Sequence, residues 1–326
     1  MKISRQHLDS STATLSETAE PFELRDLGFH SILSPQELSV LNTRSDRKGW
    51  QQLVTHLVVL GSAGAVWGCN WGHWWIALPA LGIYGFSLAS MFAALHECVH
   101  RTAFAHPRLN EGVAWFAGVL SFYNSTFYRR YHQWHHRYNQ IPGKDPELED
   151  LSPAGWISYL WLMSGIPWWL GKIHSHVQNA LGQFESRPYI PDTSQTKVMR
   201  STWAQLAIYG GMIALSIMVQ QPWFVTYWLL PLVIGQPMLR FLLIAEHTGC
   251  SQDTNPLANT RTTLTIWPIR LLMWNMSFHA EHHLYVSIPF HALPHAHEQL
   301  KGHFKEVAVG YVSANRQIIA QFSRVS

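Results

Sequence analysis

Three short histidine clusters constrain this chain more than any other feature. They are His96-Glu97-Cys98-Val99-His100, His132-Gln133-Trp134-His135-His136 and His279-Ala280-Glu281-His282-His283. The last two share one spacing, a His followed three and four residues later by a His pair. On a helix of about 3.6 residues per turn, positions i, i+3 and i+4 lie on one side. The first cluster uses i and i+4. Each cluster aims its imidazoles one way, and eight rings on three faces are enough to hold two metal ions. With 20 His in the chain, chance neighbours are expected, but not two HxxHH runs and an HxxxH. His7, His30, His56, His73, His106, His174, His176, His291, His295, His297 and His303 read as ordinary core or surface residues. His291 and His295 are four apart, yet Pro294 argues against a continuous helical face between them.

The rest of the chain indicates a membrane setting. Charged residues make up 13% of the 326 and there are 16 Trp; the charged share is about half the usual one. Leu53–Cys69, extended by Trp71, is a first span candidate, against about 20 residues needed to cross hydrocarbon. Trp74–Leu95 is a second, after a tight connection at residues 70–73. Ser201–Val219 and Trp223–Ala245 form another such pair, joined at Gln220-Gln221-Pro222. Trp71, Trp74, Trp75 and Trp223 gather at these two connections, as in an interfacial aromatic belt. Val113–Phe122 and Ile157–Leu170 are too short to span and read as interfacial or site-covering helices, the second interrupted by Gly165 and Pro167. Residues 182–200 read as a loop. Neither short connection holds Lys or Arg; all 23 lie in the N-terminal tail, in residues 101–200, or from Arg240 onward. The positive-inside rule then places both tails and the central segment in the cytoplasm, which puts all three clusters on one side of the membrane.

The expected fold is therefore an all-α polytopic membrane protein with four transmembrane helices in two hairpins and a cytoplasmic helical metal domain. Its parts are a polar cytoplasmic tail (1–50), a membrane-embedded domain (51–300; spans about 53–71, 74–95, 201–219, 223–245) and a C-terminal cytoplasmic helix (301–326). Within the tail, Ser34-Pro35-Gln36-Glu37 predicts a capped helix start. No cleaved signal peptide is expected from the polar start, and Cys69, Cys98 and Cys250 form no disulfide framework. Nothing points to nucleic acid.

Imidazole suits Zn, Cu, Fe and Ni. Eight or more His without a Cys partner argue for two metals, and for redox-active iron with open positions for a small ligand such as O2. Glu97, Asp145, Glu246, Asn275 and Glu281 are candidates to orient the rings from behind, although Asp145 also suits a plain surface turn. Asn275, four residues before His279, is placed to share its helical face or to cap it. His247, at the cytoplasmic end of the fourth span, is a possible ninth ligand, since a charged-polar cluster at that depth is a functional candidate.

The three boxes, their order and the two hairpins resemble the membrane fatty acid desaturase and hydroxylase superfamily over about residues 50–300. The third box is especially close, in Asn275-Met276-Ser277-Phe278 before it and Leu284-Tyr285 then Ser287-Ile288-Pro289 after it. The resemblance implies a di-iron centre that activates O2 to attack unactivated C–H bonds. It implies His96, His100, His132, His135, His136, His279, His282 and His283 as iron ligands, with His247 matching an additional His. It also implies a hydrophobic, fatty acyl substrate and a separate electron donor, a ferredoxin or cytochrome with its reductase, since no cytochrome b5 domain is fused. Leu243 stands where acyl-CoA desaturases carry an Asn that holds a water. The runs HECVHRTAF and EHTGC also look like bacterial relatives acting on carotenoids or amino-acid-derived substrates, so a hydroxylase or ketolase is the alternative to a desaturase. Ligand spacing does not decide between these outcomes, nor does it give the regiochemistry, the donor or the oligomeric state.

Two other classes fit parts of the pattern. HECVH matches HExxH of zinc membrane proteases, with Glu97 as base, but leaves both HxxHH boxes unexplained. A metal transporter would need ionisable residues along its spans. The first two spans hold only His56, and Trp203 to Ala245 holds only Arg240.

Overall fold

The structure is a computed structural model that describes residues 32–150 and 153–322, the side chains of residues 149 and 150 excepted. Most of the tail expected at 1–50 thus lies outside the described residues. Helix α1 (Pro35–Leu41) begins as its sequence predicts: the Ser34 hydroxyl accepts from Glu37 N, and Glu37 accepts from Ser34 N at 2.8 Å. Helix α2 (Asp46–Cys69) starts seven residues before the expected span because the Ser45 side chain caps it, accepting from Lys48 N. Trp71 lies beyond its end, in the turn.

Helix α3 (Trp74–Ala89) continues through a one-residue break at Ser90 into α4 (Met91–Val99). The apolar rod thus runs to Val99 rather than Leu95, and it carries the first histidine box on its last turn. The fourth expected span becomes a π-helical turn (Val225–Leu229) followed by α11 (Leu230–His247), which ends on His247. The wide turn has a local cause. Pro231 has no N–H to return to the preceding turn. The carbonyls of Thr226 and Tyr227 accept instead from Trp67 Nε1 (3.1 Å) and the Tyr84 hydroxyl (2.6 Å), which tie this turn to the first hairpin.

Asp46–Cys69, Trp74–Val99 and Val225–His247 are long and apolar enough to cross a membrane, with mean hydropathies of 1.3, 1.7 and 1.7. The expected span at 201–219 lies in α10 (Asp192–Met218), a 27-residue helix. It is not among these three, because Ser201, Thr202 and Gln205 dilute the apolar part that follows its polar start. It also takes up part of the expected 182–200 loop, since Pro191 and Asp192 start a helix there.

Between the long helices lie shorter ones. Helix α5 (Pro107–Ser121) packs on α4, and α6 (Ser125–Tyr138) carries the second box. The α6 cap, Asn124, accepts from Phe127 N at 2.9 Å and donates to Thr202 of α10 at 2.8 Å. After α7 (Pro146–Asp150) come α8 (Trp156–Met163) and α9 (Ile166–Leu181), broken at Gly165 as expected. Both leave large apolar side chains exposed, including Ile157, Leu160, Leu170 and Val177, as helices lying in a bilayer interface would.

The all-α expectation needs one correction. Strand β1 (Thr262–Leu264) pairs in parallel with β2 (Val307–Val309), Thr262 opposite Val307 and Leu264 opposite Val309. Three-residue strands are too short to display an alternating pattern. Around them stand α12 (Trp267–Leu272), α13 (His279–Leu284) with the third box, and α14 (Leu293–Leu300). The last helix, α15 (Tyr311–Phe322), follows β2. The helix expected over 301–326 thus begins only at Tyr311.

The two apolar rods meet backbone to backbone. A Cβ on Gly235 would fall 1.9 Å from the Gly85 carbonyl oxygen, and one on Gly85 would fall 2.4 Å from that of Pro231. Small residues at such crossings let transmembrane helices pack closely. Gly235→Val should therefore destabilise the fold by about 3 kcal/mol through overpacking, read as a lower thermal midpoint in detergent. Gly82→Ala, which meets open space, should leave the midpoint unchanged. Equal midpoints for the two variants would contradict this packing.

Candidate metal centre

Four elements end at one place. His96 and His100 come from α4, His132, His135 and His136 from α6, His247 from the end of α11, and His279, His282 and His283 from α13. The rings divide into two adjoining groups. In the first, His96, His100, His132, His136 and His282 offer nitrogens that all lie within 4.8 Å of one another. His132 Nε2 is 3.0 Å from His136 Nε2, which is 3.2 Å from His282 Nε2. In the second, His135, His247 and His283 meet the same limit. His279 joins them, its Nε2 lying 3.1 Å from both His247 Nε2 and His283 Nε2. His136 and His283 stack across the boundary at 4.1 Å.

The i, i+3, i+4 spacing explains the division. Steps of three and four residues turn a helix by about 300° and 400°, so the two rings lie on opposite sides of the first and about 100° apart. A box therefore feeds two positions. In α6, i and i+4 serve the first group and i+3 the second. In α13 the roles reverse, with His279 and His283 in the second group and His282 in the first. The first box has only i and i+4, both in the first group, and His247 supplies the ring that the second group would otherwise lack.

These residues suit metal ions. His96 Nδ1 and Nε2, His100 Nε2, His135 Nε2, His136 Nδ1, His279 Nδ1 and His282 Nδ1 are buried without a hydrogen-bond partner. Buried polar atoms are rarely left so, and a cation would satisfy the lone pairs that face inward. The donor set, nitrogen throughout each group, is one that iron, zinc or copper accepts. Burial first, and then mutual repulsion, push the pKa values of His100, His132, His136, His279 and His283 well below the ordinary imidazole range, and that of His282 down to about 3. The rings thus stand neutral, ready as ligands. His135 differs. Burial opposes its charge, but Glu147 and Asp145 beside it hold its pKa up.

The supporting polar residues occupy different places. Asp145 is buried rather than in a surface turn. It accepts from His135 Nδ1 at 2.8 Å and from the backbone N–H groups of Gln140 and Glu147. Glu246 Oε2 lies 3.5 Å from His279 Nε2. Glu97 lies behind His96, 3.7 Å from its Nδ1, and accepts from the Thr102 hydroxyl and Phe290 N. Glu281 faces away from the rings: it accepts from His297 Nδ1 at 2.5 Å and from the Thr262 hydroxyl, pinning α13 to α14 and β1. Asn275 does not share the His279 face. It precedes α13 in a left-handed turn (φ 59°), bonded to Phe290 O and Arg270.

Sequence reasoning missed Glu147, 3.6 Å from both His132 Nδ1 and His135 Nε2. In the acidic run Pro146-Glu147-Leu148-Glu149-Asp150 nothing distinguishes it from a solvated carboxylate. It also treated His297 as ordinary, although this residue braces Glu281. His56 is ordinary as expected: its Nε2 donates to Ser87 O and its Nδ1 accepts from Trp274.

A cavity of about 400 Å³ opens beside both groups, reaching His96, His132 and His279. Phe92, Tyr123, Tyr128, Trp168, Leu243 and Met276 make its wall largely aromatic and apolar. Leu243 faces this space, so an apolar side chain occupies that position.

Two outcomes follow. Removing the Asp145 carboxylate with Asp145→Asn should weaken metal binding about 10- to 100-fold, as loss of a ligand-orienting partner does, measured by chelator competition; unaltered affinity would contradict the role given to Asp145. The pH dependence follows from the lowered histidine pKa values. Below about 6.5 the unfolded chain takes up protons that the folded, metal-free site refuses, so stability rises with pH through that range. The contribution of His282 is present above about 6.5 and is lost as pH falls toward about 3. His135 acts in the opposite sense but is outnumbered. The thermal midpoint of chelator-stripped protein should fall between pH 7 and pH 5; a flat or rising midpoint would contradict it.

The chain matches the family described as fatty acid desaturase over residues 44–315. It is 26% identical over 321 residues to the "sn-1 oleoyl-lipid 12-desaturase" of Picosynechococcus sp. (strain ATCC 27264 / PCC 7002 / PR-6), covering 91% of this chain and 87% of that one. It is also 22% identical over 263 residues to the "Sphingolipid delta(4)-desaturase DES1-like" of Oryza sativa subsp. japonica, covering 77% and 75%. The protein of that name in Arabidopsis thaliana is 24% identical over 251 residues, covering 75% and 69%. With histidine clusters able to hold metal and helices able to cross a membrane, these matches lead to one assignment: the chain belongs to the fatty acid desaturase family.

Proposed function

We propose that the protein is an integral membrane oxidoreductase that uses O2 and a pair of iron ions to desaturate an unactivated pair of C–H bonds in a hydrophobic, fatty acyl substrate. One observation carries this reading: two adjoining groups of buried imidazoles, several with unpaired nitrogens, stand beside one cavity whose wall is largely aromatic and apolar. The desaturase names of the relatives support it. His96, His100, His132, His136 and His282 would hold one iron, and His135, His247, His279 and His283 the other.

When bound, the iron pair supplies O2 activation and the oxidising power to take hydrogen from carbon. The chain's own residues do the rest. Asp145 fixes the ring of His135, and the His297–Glu281–Thr262 chain fixes α13. Phe92, Tyr128, Trp168 and Met276 exclude water and align an apolar chain beside the irons. Glu246 Oε1, buried without a partner, offers a place for a proton on the cavity wall. A ferredoxin or cytochrome with its reductase is the proposed electron donor.

For topology we propose four spans, with both termini and the metal groups cytoplasmic. The Lys and Arg distribution supports this orientation. The exposure of Ile213, Leu215, Ile217 and Met218 supports the 201–219 part of α10 as the third span. The zinc-protease reading of HECVH is disfavoured by Glu97, which is absent from the cavity lining and is bonded to Thr102 and Phe290.

The test is expression with a reductase system, followed by mass analysis of lipids. A product lighter by two hydrogens is expected; one heavier by an oxygen would make the enzyme a hydroxylase instead. His135→Ala should lower the iron content from about two toward about one per chain and abolish product. Full activity in this variant, or a single zinc per chain with activity lost only in Glu97→Gln, would overturn the proposal.

A further inference from the structure

Arg240 is the only Asp, Glu, Lys, Arg or His between Trp203 and Ala245. An ionisable side chain within an apolar span marks a functional position by default. It is 7% exposed and lines the cavity beside the metal groups. Its NH2 donates to the Tyr123 hydroxyl at 3.2 Å, its Nε is buried without a partner, and its guanidinium carbon lies 5.9 Å from the Trp168 ring centre. Among the described residues no carboxylate lies within ion-pair distance of it. A buried guanidinium left so costs free energy unless an anion compensates it.

The surroundings point the same way. The Tyr123 oxygen accepts from both Arg240 and Trp168 Nε1 (2.8 Å). Its own proton is thus left to donate, and no described residue receives it. Lys172, also on the cavity wall, holds its ammonium 3.9 Å from the Tyr123 ring centre. The two carboxylates of the cavity stand instead at the metal end, Glu147 beside His132 and His135 and Glu246 beside His279. Positive donors therefore gather around Tyr123, and the carboxyl groups stand beside the histidines. Along α11, Arg240 precedes His247 by seven residues, about 10 Å.

We infer that this cavity binds its substrate by an oxyanion, a carboxylate or a phosphate, held by Arg240 and the Tyr123 hydroxyl with Lys172 adding charge. The carbon chain then runs toward His96, His132 and His279. A neutral ester or alcohol would leave the guanidinium uncompensated. The inference deepens the oxidation reading, and rests on it only in where it places the reacting carbon.

The full-length protein in a neutral detergent is titrated with dodecanoate, dodecyl phosphate and dodecanol, and binding is measured calorimetrically. Wild type should bind at least one of the two anions about tenfold or more tighter than dodecanol, as charge-assisted bonds would give. Which anion is preferred separates a free acid from a phosphate head group. Arg240→Gln should lose that preference and Arg240→Lys should keep part of it. No preference in wild type, or an undiminished one in Arg240→Gln, overturns the inference. Should Arg240→Gln fail to fold, Lys172→Gln replaces it and should weaken anion binding about threefold; unchanged binding overturns the inference. Metal analysis of the same samples tests the oxidation reading separately. Protein that selects dodecanoate but holds no iron would sink that reading alone, and protein with its iron but no anion preference would sink this one alone.

Discussion

Lone pairs crowded away from water are what the rest of this structure must accommodate. Imidazoles from four helices press nitrogens to about 3 Å of one another, and other nitrogens of the same rings are buried without a partner. Protonation cannot relieve them all, because burial and mutual repulsion hold most of these rings neutral. A cation at the centre of each group would relieve them. The clusters are thus able to hold metal, on ligands that the helices bring together from distant parts of the chain. Asp145, Glu97 and Glu281 are the struts that keep the rings facing one another.

The helical framework explains how so many rings reach one place. The apolar rods α3–α4 and α11 cross where Gly85 and Gly235 bring backbone against backbone, and both rods end on histidines. That crossing brings the helix ends that carry His96, His100 and His247 toward one site, in two adjoining groups. Helix α6 and the short α13 then supply the remaining rings. The reversed use of i, i+3 and i+4 in these two helices lets each contribute to both groups. The same spacing on two separate helices thereby serves two adjoining clusters.

The cavity adds a second asymmetry along its wall. Carboxylates stand beside the histidines, and Arg240, Lys172 and Tyr123 stand along the wall. An apolar chain with an acidic end would meet both the aromatic lining and the donors. This separation of charge gives the space a direction, which a purely hydrophobic pocket would lack.

Much was legible in the sequence because it is periodic. The two HxxHH boxes, the HxxxH box, the capping box at Ser34 and the break at Gly165 are local patterns, set by a few residues and the pitch of a helix. Long apolar runs likewise announced α2, α3–α4 and α11. What escaped was non-local. Pairing of β1 with β2 joins residues more than forty apart through strands too short to alternate. Glu147 looks like any acidic residue until α6 and α7 fold it against His132 and His135. By spacing alone Asn275 is placed to share the His279 face or to cap it, and a left-handed turn takes it off that face. The sequence by itself determined which side chains can bind metal and which faces they share, since both follow from helical geometry within a few residues. Only the tertiary structure decided which ring joins which group, and that Arg240 lines the cavity with no described carboxylate within ion-pair distance, since both depend on how distant helices cross.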